Sequence, residues 1–274
     1  MNRPATPVST RFGPDVLGDP GAIVIAHPPG TFAVTSASRI AIEAIVRGRD
    51  RLAGVGVDWG CGTGCMAIVA ARLPAVQTVI GLDINAANID VARRNAVPNA
   101  VDHKVRFLVS DAWAPLDPGE RAWFDAHAGR IDFVLANPPS SSPAGDGFEF
   151  RRIVMRGARR WLRPGGVLFL NVSEQYGRDR LSRLLHEAPG FHYDGLLATT
   201  PLVPFDMGRE DLMLDVETYA AEERRGGSLY AFRVAGDPER TIDARTALER
   251  FRTTGESPLS RWQVHAFLMA SDAG

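Results

Sequence analysis

Lysine is nearly missing from this sequence. Lys104 is the sole lysine among 31 basic residues, a skew of composition rather than a chemical signal. Cysteine is scarce too, with only Cys61 and Cys65. Two thiols cannot supply a four-ligand zinc site, and no nearby histidine pair completes one, so no metal is expected. They form no multi-bridge disulfide framework either, and a reducing, cytoplasmic compartment fits. No stretch approaches the roughly 20 consecutive apolar residues of a membrane span. Met1–Gly13 lacks the apolar core of a secretory leader, so neither membrane insertion nor export is expected. A basic excess is absent as well. Lys+Arg 31 against Asp+Glu 32 leaves a net charge of -1, which argues against bulk nucleic-acid binding.

What remains is a globular chain of 274 residues, 45% of them hydrophobic, enough for one large domain with a substantial core. Residues 1–35 are rich in Pro and Gly around one apolar run, Ala22–Ala26, and read as an irregular lead-in with a short strand. Ser36–Arg47 carries an apolar face of Ile40, Ile42, Ala44 and Ile45, with Ser36 or Ser38 as N-cap. Strands are then expected at Val55–Trp59, Thr78–Ile84, Val105–Val109, Ile131–Ala136 and Val167–Val172. Between them lie helical patterns at Met66–Leu73, Ala86–Asn95 and Phe148–Leu162, with Arg178–His186 after the last. Nearly all-apolar strands alternating with helices predict a doubly wound α/β domain whose mostly parallel sheet is covered on both faces. Tyr193–Thr199 and Ser228–Val234 bring the sheet to seven strands, with a helix over Glu210–Arg224 between them. Thr246–Phe251 and Trp262–Met269 read as short C-terminal helices. The chain thus divides into a lead-in strand and helix over 1–50, a main domain over 51–236 and a helical extension over 237–274.

Directly after the first strand of that domain runs Asp58-Trp59-Gly60-Cys61-Gly62-Thr63-Gly64. Glycines at alternate positions let the backbone turn tightly and approach a ligand without a Cβ clash. A turn made of glycine for steric reasons alone is the plain alternative. Asp83 closes the next strand, where an acid can accept hydrogen bonds from ribose hydroxyls or cap the following helix. The turn is not G-x-G-x-x-G, since Cys65, Met66 and Ala67 follow Gly64, and it lacks the Gly-Lys-Ser/Thr ending of a P-loop. Asp58 would repel a pyrophosphate but suits a cofactor amino group. A small cationic nucleoside satisfies both acids.

These residues resemble the cofactor site of class I S-adenosylmethionine-dependent methyltransferases, which are Rossmann-like, and the likeness runs from about Gly30 to Val234. It implies S-adenosylmethionine as cofactor, with Asp58, Gly60, Gly62 and Gly64 around its methionine part and Asp83 on its ribose. The segment Phe107–Trp113 resembles the family's adenine-contacting stretch, which implies Asp111 and Ala112 at the base. A loop aspartate beside a core Trp113 is the plain reading there. Cys61 and Cys65 read as packing residues, with nothing nearby to activate a thiolate.

Asn137-Pro138-Pro139-Ser140 closes the fourth strand of the domain. Asn137 offers a carbonyl acceptor, and Pro138 a second one in a backbone stiffened by two prolines. The pair suits an amine or amide nitrogen, gripping its hydrogens and aiming its lone pair at an electrophilic methyl group. A simple strand terminator is the alternative. The segment resembles the Asp/Asn-Pro-Pro-aromatic motif of methyltransferases acting on exocyclic or amide nitrogen. Gly145–Ile153 and Leu162–Leu168 are similar to the protein-glutamine N5 methyltransferases of translation release factors. Three departures stand out: Ser140 replaces the aromatic, Asn171 stands where that subgroup commonly has Glu, and residues 1–50 occupy the place of a helical substrate domain. The resemblance implies Asn137 and Pro138 as catalytic orienting groups and Pro139 and Ser140 at the substrate, with Phe148 or Phe150 supplying the missing ring.

The expected reaction is methyl transfer to an amide or amine nitrogen, with glutamine N5 of a protein as one acceptor. The alternative is a small-molecule N- or O-methyltransferase of secondary metabolism, so the partner is a protein or a small molecule. Phe205-Asp206-Met207 and the acidic helix after it read as a cover for a bound metabolite, a docking surface or a plain surface helix. Arg151-Arg152 and Arg159-Arg160 read as a solvated helix face. A nucleotide-binding oxidoreductase and a catalytically inactive scaffold compete with the enzyme reading. The first wants a glycine at the start of the helix that is absent here, and the second leaves the full set of cofactor-type residues without a use.

Overall fold

A computed structural model describes residues 8–18, 21–139, 146–227 and 229–271. The strands are β1 (Ser9–Phe12), β2 (Ile23–Ala26), β3 (Gly54–Trp59), β4 (Val76–Asp83), β5 (Val105–Asp111), β6 (Ala114–Pro115) and β7 (Ile131–Ala136). They continue as β8 (Leu162–Asn171), β9 (Phe191–Thr199), β10 (Val203–Pro204), β11 (Phe232–Val234), β12 (Asp237–Ile242), β13 (Leu259–Ser260) and β14 (Gln263–Met269). The helices are α1 (Pro14–Leu17), α2 (Ser36–Arg47), α3 (Cys65–Ala71), α4 (Ala86–Ala96) and α5 (Pro118–Asp125), then α6 (Glu149–Trp161), α7 (Arg180–Glu187), α8 (Glu210–Arg224) and α9 (Ala244–Thr254).

The central sheet runs β6-β5-β4-β3-β7-β8-β14-β9. From β5 to β8 the neighbours are parallel, β14 is antiparallel to both β8 and β9, and β6 is a two-residue edge. This is the expected mostly parallel, doubly wound α/β sheet, with seven long strands. The chain winds outward from β3 to β5 and then crosses back to β7 on the other side of β3. That reversal opens a crevice beyond the C-terminal ends of β3 and its neighbours, where open α/β sheets bind ligands.

Both faces of the sheet are covered. Ile40, Ile45, Ile68, Val69 and Ile89 pack on one side, and Val154, Met155, Trp161 and Leu184 on the other. The first turn of α2 is held by Thr35 rather than Ser36. Thr35 Oγ1 accepts from Ser38 N and Ser38 Oγ accepts from Thr35 N, a reciprocal capping box. The lead-in is a β1–β2 hairpin docked on α4 and the loop after it. Asn95 takes both backbone groups of Ala26, at 3.0 and 2.9 Å, and Asn99 both of Val24, at 3.1 and 2.8 Å. Two side-chain amides thus stand in for a neighbouring strand.

Two expectations for the C-terminal third are corrected. Trp262–Met269 is not a helix: Gln263–Met269 is β14, with Val264 opposite Asn171 and Phe267 opposite Leu168. Val264, His265, Ala266 and Phe267 are buried in succession, because a strand flanked and covered on both faces loses the alternation that marks a half-exposed one. Residues 237–271 are therefore not helical throughout: α9 is followed by β13 and then by β14, which joins the main sheet. Ser228–Val234 is also not the seventh strand. Phe232–Val234 is β11, which belongs to a separate four-stranded sheet, β10-β13-β11-β12.

Candidate active site

The turn after β3 sorts its three glycines by function. Gly62 has φ +53, and a Cβ there would lie 2.9 Å from the Phe32 ring. Gly64 caps α3 in the left-handed region at φ +87, where a Cβ would come within 3.0 Å of Ala92. These two make the turn possible. Gly60, also at positive φ, would point a Cβ into open space, and it alone of the three lines the main cleft. Asp58 is corrected more sharply. It was expected beside a ligand, yet it is fully buried beneath the turn and does not line the cleft. Its Oδ2 accepts from Ala67 N at 2.8 Å, tying β3 to α3. Burial pushes the carboxyl up to about 7, the expected direction when a charge is withdrawn from water.

Asp83, half-buried at the end of β4, is already engaged. Its Oδ2 accepts from Gly62 N at 2.8 Å, and its Oδ1 from Asn85 N at 2.8 Å and Asn88 Nδ2 at 3.2 Å. Asn88 in turn receives Phe32 N at 2.9 Å. One carboxylate therefore locks the glycine turn, the start of α4 and the lead-in loop into one rim, and it keeps acceptor capacity toward the cleft. Asp111 is exposed at the end of β5, and Ala112 follows at φ +50 with its carbonyl held by Ser110 Oγ at 3.1 Å. Trp113 turns inward, donating Nε1–H to Ile153 O at 3.1 Å and stacking on Trp161.

Asn137, Pro138 and Pro139 leave β7 into the same cleft as Gly60, Asp83, Asp111 and Ala112. Ser140 lies outside the described residues. Phe148 is corrected: it is wholly buried, edge-on to Tyr176 at 4.8 Å, and away from the cleft. Phe150 lines the cleft instead, 6.3 Å from the Trp59 ring.

The solvated face expected for Arg151-Arg152 is also corrected. Arg151 is 1% exposed. It donates to Pro139 O at 2.9 Å, Gly147 O at 3.0 Å and Asn171 O at 3.1 Å, with its guanidinium over the Tyr176 ring. Arg152 is half-buried and paired with Asp146, Glu149 and Glu187. Arg159 and Arg160 do face solvent. The signal for Arg151 was available in the spacing, since Val154, Met155, Ala158 and Trp161 repeat on the same helical face.

The far wall comes from the C-terminal third: Val203 and Pro204, Asp206 and Arg209, the first turns of α8 with Asp211 and Asp215, and Trp262. Together the walls enclose about 890 Å³, at the upper end of the roughly 300–1,000 Å³ typical of small-molecule sites. The residues present fit a cationic nucleoside at the β3–β5 side. Gly60 allows close approach, and Asp83 and Asp111 offer acceptors for hydroxyl and amino hydrogens.

Comparison with known proteins places this architecture. The family model described as "Methyltransferase small domain" matches residues 23–190, more than half of the chain. The chain belongs to the methyltransferase small domain family. In this family setting it is 33% identical over 144 residues to the release factor glutamine methyltransferase of Cereibacter sphaeroides, covering 44% of this chain and 48% of that one. It is 32% identical over 167 residues to the 4-amino-L-phenylalanine/4-methylamino-L-phenylalanine methyltransferase of Streptomyces pristinaespiralis, covering 54% and 53%. Among solved structures it matches the T. thermophilus 16S rRNA N2 G1207 methyltransferase in complex with AdoMet and guanosine. That match has a TM-score of 0.51 at 26% identity, over 70% of this chain and 48% of the other. The chain spans about half the length of the curated relatives it matches. The fold is the class I, Rossmann-like methyltransferase fold.

Proposed function

We propose that this protein is an S-adenosylmethionine-dependent methyltransferase acting on an amide or amine nitrogen of a protein, with glutamine N5 as the specific acceptor. The observation that carries the reading is the position of Asn137 and Pro138 at the end of β7, in one cleft with Gly60, Asp83 and Asp111. The similarity to release factor glutamine methyltransferases supports the acceptor, and the AdoMet-bound structural relative supports the cofactor.

S-adenosylmethionine, when bound, supplies a methyl carbon on positively charged sulfur. Asp83 takes ribose hydroxyls, Asp111 and Ala112 border the base, and Gly60 permits close backbone approach, while Gly62 and Gly64 shape the turn. Asn137 Oδ1 and the Pro138 carbonyl accept the hydrogens of the incoming nitrogen and so direct its lone pair. Arg151 holds the Pro139 carbonyl from behind and keeps the Asn-Pro-Pro turn from relaxing. Placement of this kind can be worth several powers of ten without a covalent intermediate on the protein.

The test uses isotopically labelled methyl donor and a lysate fractionated into protein, RNA and small molecules. Label is expected in protein. Asn137→Ala should lower transfer about 100-fold with S-adenosylhomocysteine affinity nearly unchanged, and a parallel loss of both would remove Asn137 from this role. Label confined to RNA would overturn the acceptor assignment. A second reading, methylation of a small aromatic or aliphatic amine, is favoured by the far wall, which this chain builds from its own β10, α8 and Trp262. The Streptomyces relative supports it, and label in the small-molecule fraction would establish it.

A further inference from the structure

Two buried side chains at the cleft carry hydrogen-bond donors with no partner among the described residues: Trp59 Nε1 and Asn171 Nδ2. Trp59 is 6% exposed and Asn171 1%, and both line the cleft that holds Asn137, Pro138 and Pro139. A buried donor without an acceptor costs about 1–3 kcal/mol, so its retention calls for a ligand or ordered water that completes it. The placement is not scattered. Trp59 stands opposite Ala136, and Ala136 opposite Leu170. The two donors therefore sit at the ends of the strands on either side of β7, flanking Asn137.

The Asn171 side chain is held. Ser173 Oγ donates to its Oδ1 at 2.8 Å, which leaves the Nδ2 edge as the one without a partner. Arg151 Nε fixes its main-chain carbonyl at 3.1 Å. The functional groups along the three strand ends are complementary in sign. Asn137 Oδ1 and the Pro138 carbonyl accept, whereas Trp59 and Asn171 donate. A free amine uses only the first pair. A carboxamide uses both, its N–H groups on the acceptors and its carbonyl oxygen on the donors. Charge separately disfavours an acceptor that carries a carboxylate. Asp83, Asp111, Asp206, Asp211 and Asp215 line the cleft against Arg151 and Arg209, so a carboxylate oxygen meets repulsion that a neutral carbonyl avoids.

We propose that Trp59 and Asn171 are specificity-determining residues that recognise a neutral carbonyl oxygen on the methyl acceptor, selecting a carboxamide over an amine. The inference rests on the N-methyltransferase reading of the cleft and assigns the half of the acceptor pocket that the Asn-Pro-Pro turn does not supply.

The experiment uses the full ¹⁵N-labelled chain saturated with S-adenosylhomocysteine. The probes are a blocked Ala-Gln-Ala peptide and the same peptide with ornithine in place of glutamine. The glutamine peptide should shift the indole N–H signal that Trp59→Phe removes. Asn171→Leu should weaken that peptide's binding at least tenfold, with S-adenosylhomocysteine affinity unchanged and ornithine-peptide affinity unaffected. Asn171→Gln should restore part of the loss and Asn171→Asp none. Equal binding by wild type and Asn171→Leu, as expected if water alone satisfies the donors, overturns the proposal. So does full binding by Asn171→Asp, or an unmoved indole signal in the cofactor-saturated protein. Failure of folded wild type to bind S-adenosylhomocysteine at all would instead bring down the methyltransferase reading, and this inference with it.

Discussion

The two sides of the cleft are built on opposite principles. On the β4–β5 rim the polar groups are tied to the turn and helix around them. Asp83 takes three hydrogen bonds from the turn and α4, Asn88 holds Phe32, and Ser110 holds Ala112. Around the Asn-Pro-Pro turn Arg151 ties three carbonyls together, but Trp59 at the end of β3 and Asn171 at the end of β8 keep donors without a partner among the described residues. The first side is organised in advance for a ligand of constant shape. The second is incomplete until a ligand arrives, which is how a site discriminates by leaving its polar groups unpaired with the wrong molecule.

The largest expected effect breaks the second side alone. Arg151→Met keeps the bulk of the side chain but strands the carbonyls of Pro139, Gly147 and Asn171 in a buried setting. Each buried carbonyl left without its donor costs about 1–3 kcal/mol. Chemical denaturation should show that loss, and methyl transfer should fall more than S-adenosylhomocysteine affinity measured below the unfolding transition. An equal fall in both would mean that the two sides are not separable. Asp83→Ala is the converse. It removes three acceptances at a half-buried position, for a loss of about 2 kcal/mol, and it should weaken S-adenosylhomocysteine at least tenfold by calorimetry. Unchanged affinity would take Asp83 out of the cofactor site and leave it as a brace for the turn.

The same contrast explains what could be read without coordinates. The β3–β5 side is encoded locally: turn, strand end and acid recur within short contiguous stretches, so Gly60, Asp83, Asp111 and Ala112 were all placed where they line the cleft. Asp58 was misplaced because a carboxylate beside a glycine turn invites a ligand, whereas strand alternation directs it under the turn, away from the cleft. The β7–β8 side is assembled from residues 137–139, 150–153, 171, 203–215 and 262, which only the sheet order brings together. Phe148 and Phe150 could not be told apart two positions apart at a helix start, and it took the placement of α6 to bury one and present the other. Arg151 was misread because charge was weighed above its place on an apolar face. β14 was misread because a strand buried on both sides has no alternation to show.

Each side also covers a buried group that titrates between about pH 4 and 7, and the two respond to pH in opposite senses. Under the glycine turn, burial raises the Asp58 carboxyl to about 7. Between about pH 4 and 7 the native state keeps a proton that the unfolded chain has released, so stability from this group is present below pH 4 and is lost as pH rises. Beside β8, His265 is lowered to about 4, by burial first and then by the charge of Arg180, and it shares a hydrogen bond with Tyr193. Its contribution is present above about pH 6.5 and is lost as pH falls toward 4. Across the overlap the two slopes, each roughly 1 kcal/mol per pH unit, oppose each other. Asp58→Asn keeps an acceptor for Ala67 N–H and removes the titration, so it should unmask the histidine. From pH 4.5 to 6.5 the denaturation free energy of the variant should climb relative to wild type at about that rate. A difference that stays constant with pH would show that Asp58 is ionised throughout the window, with a counter-charge beneath the turn.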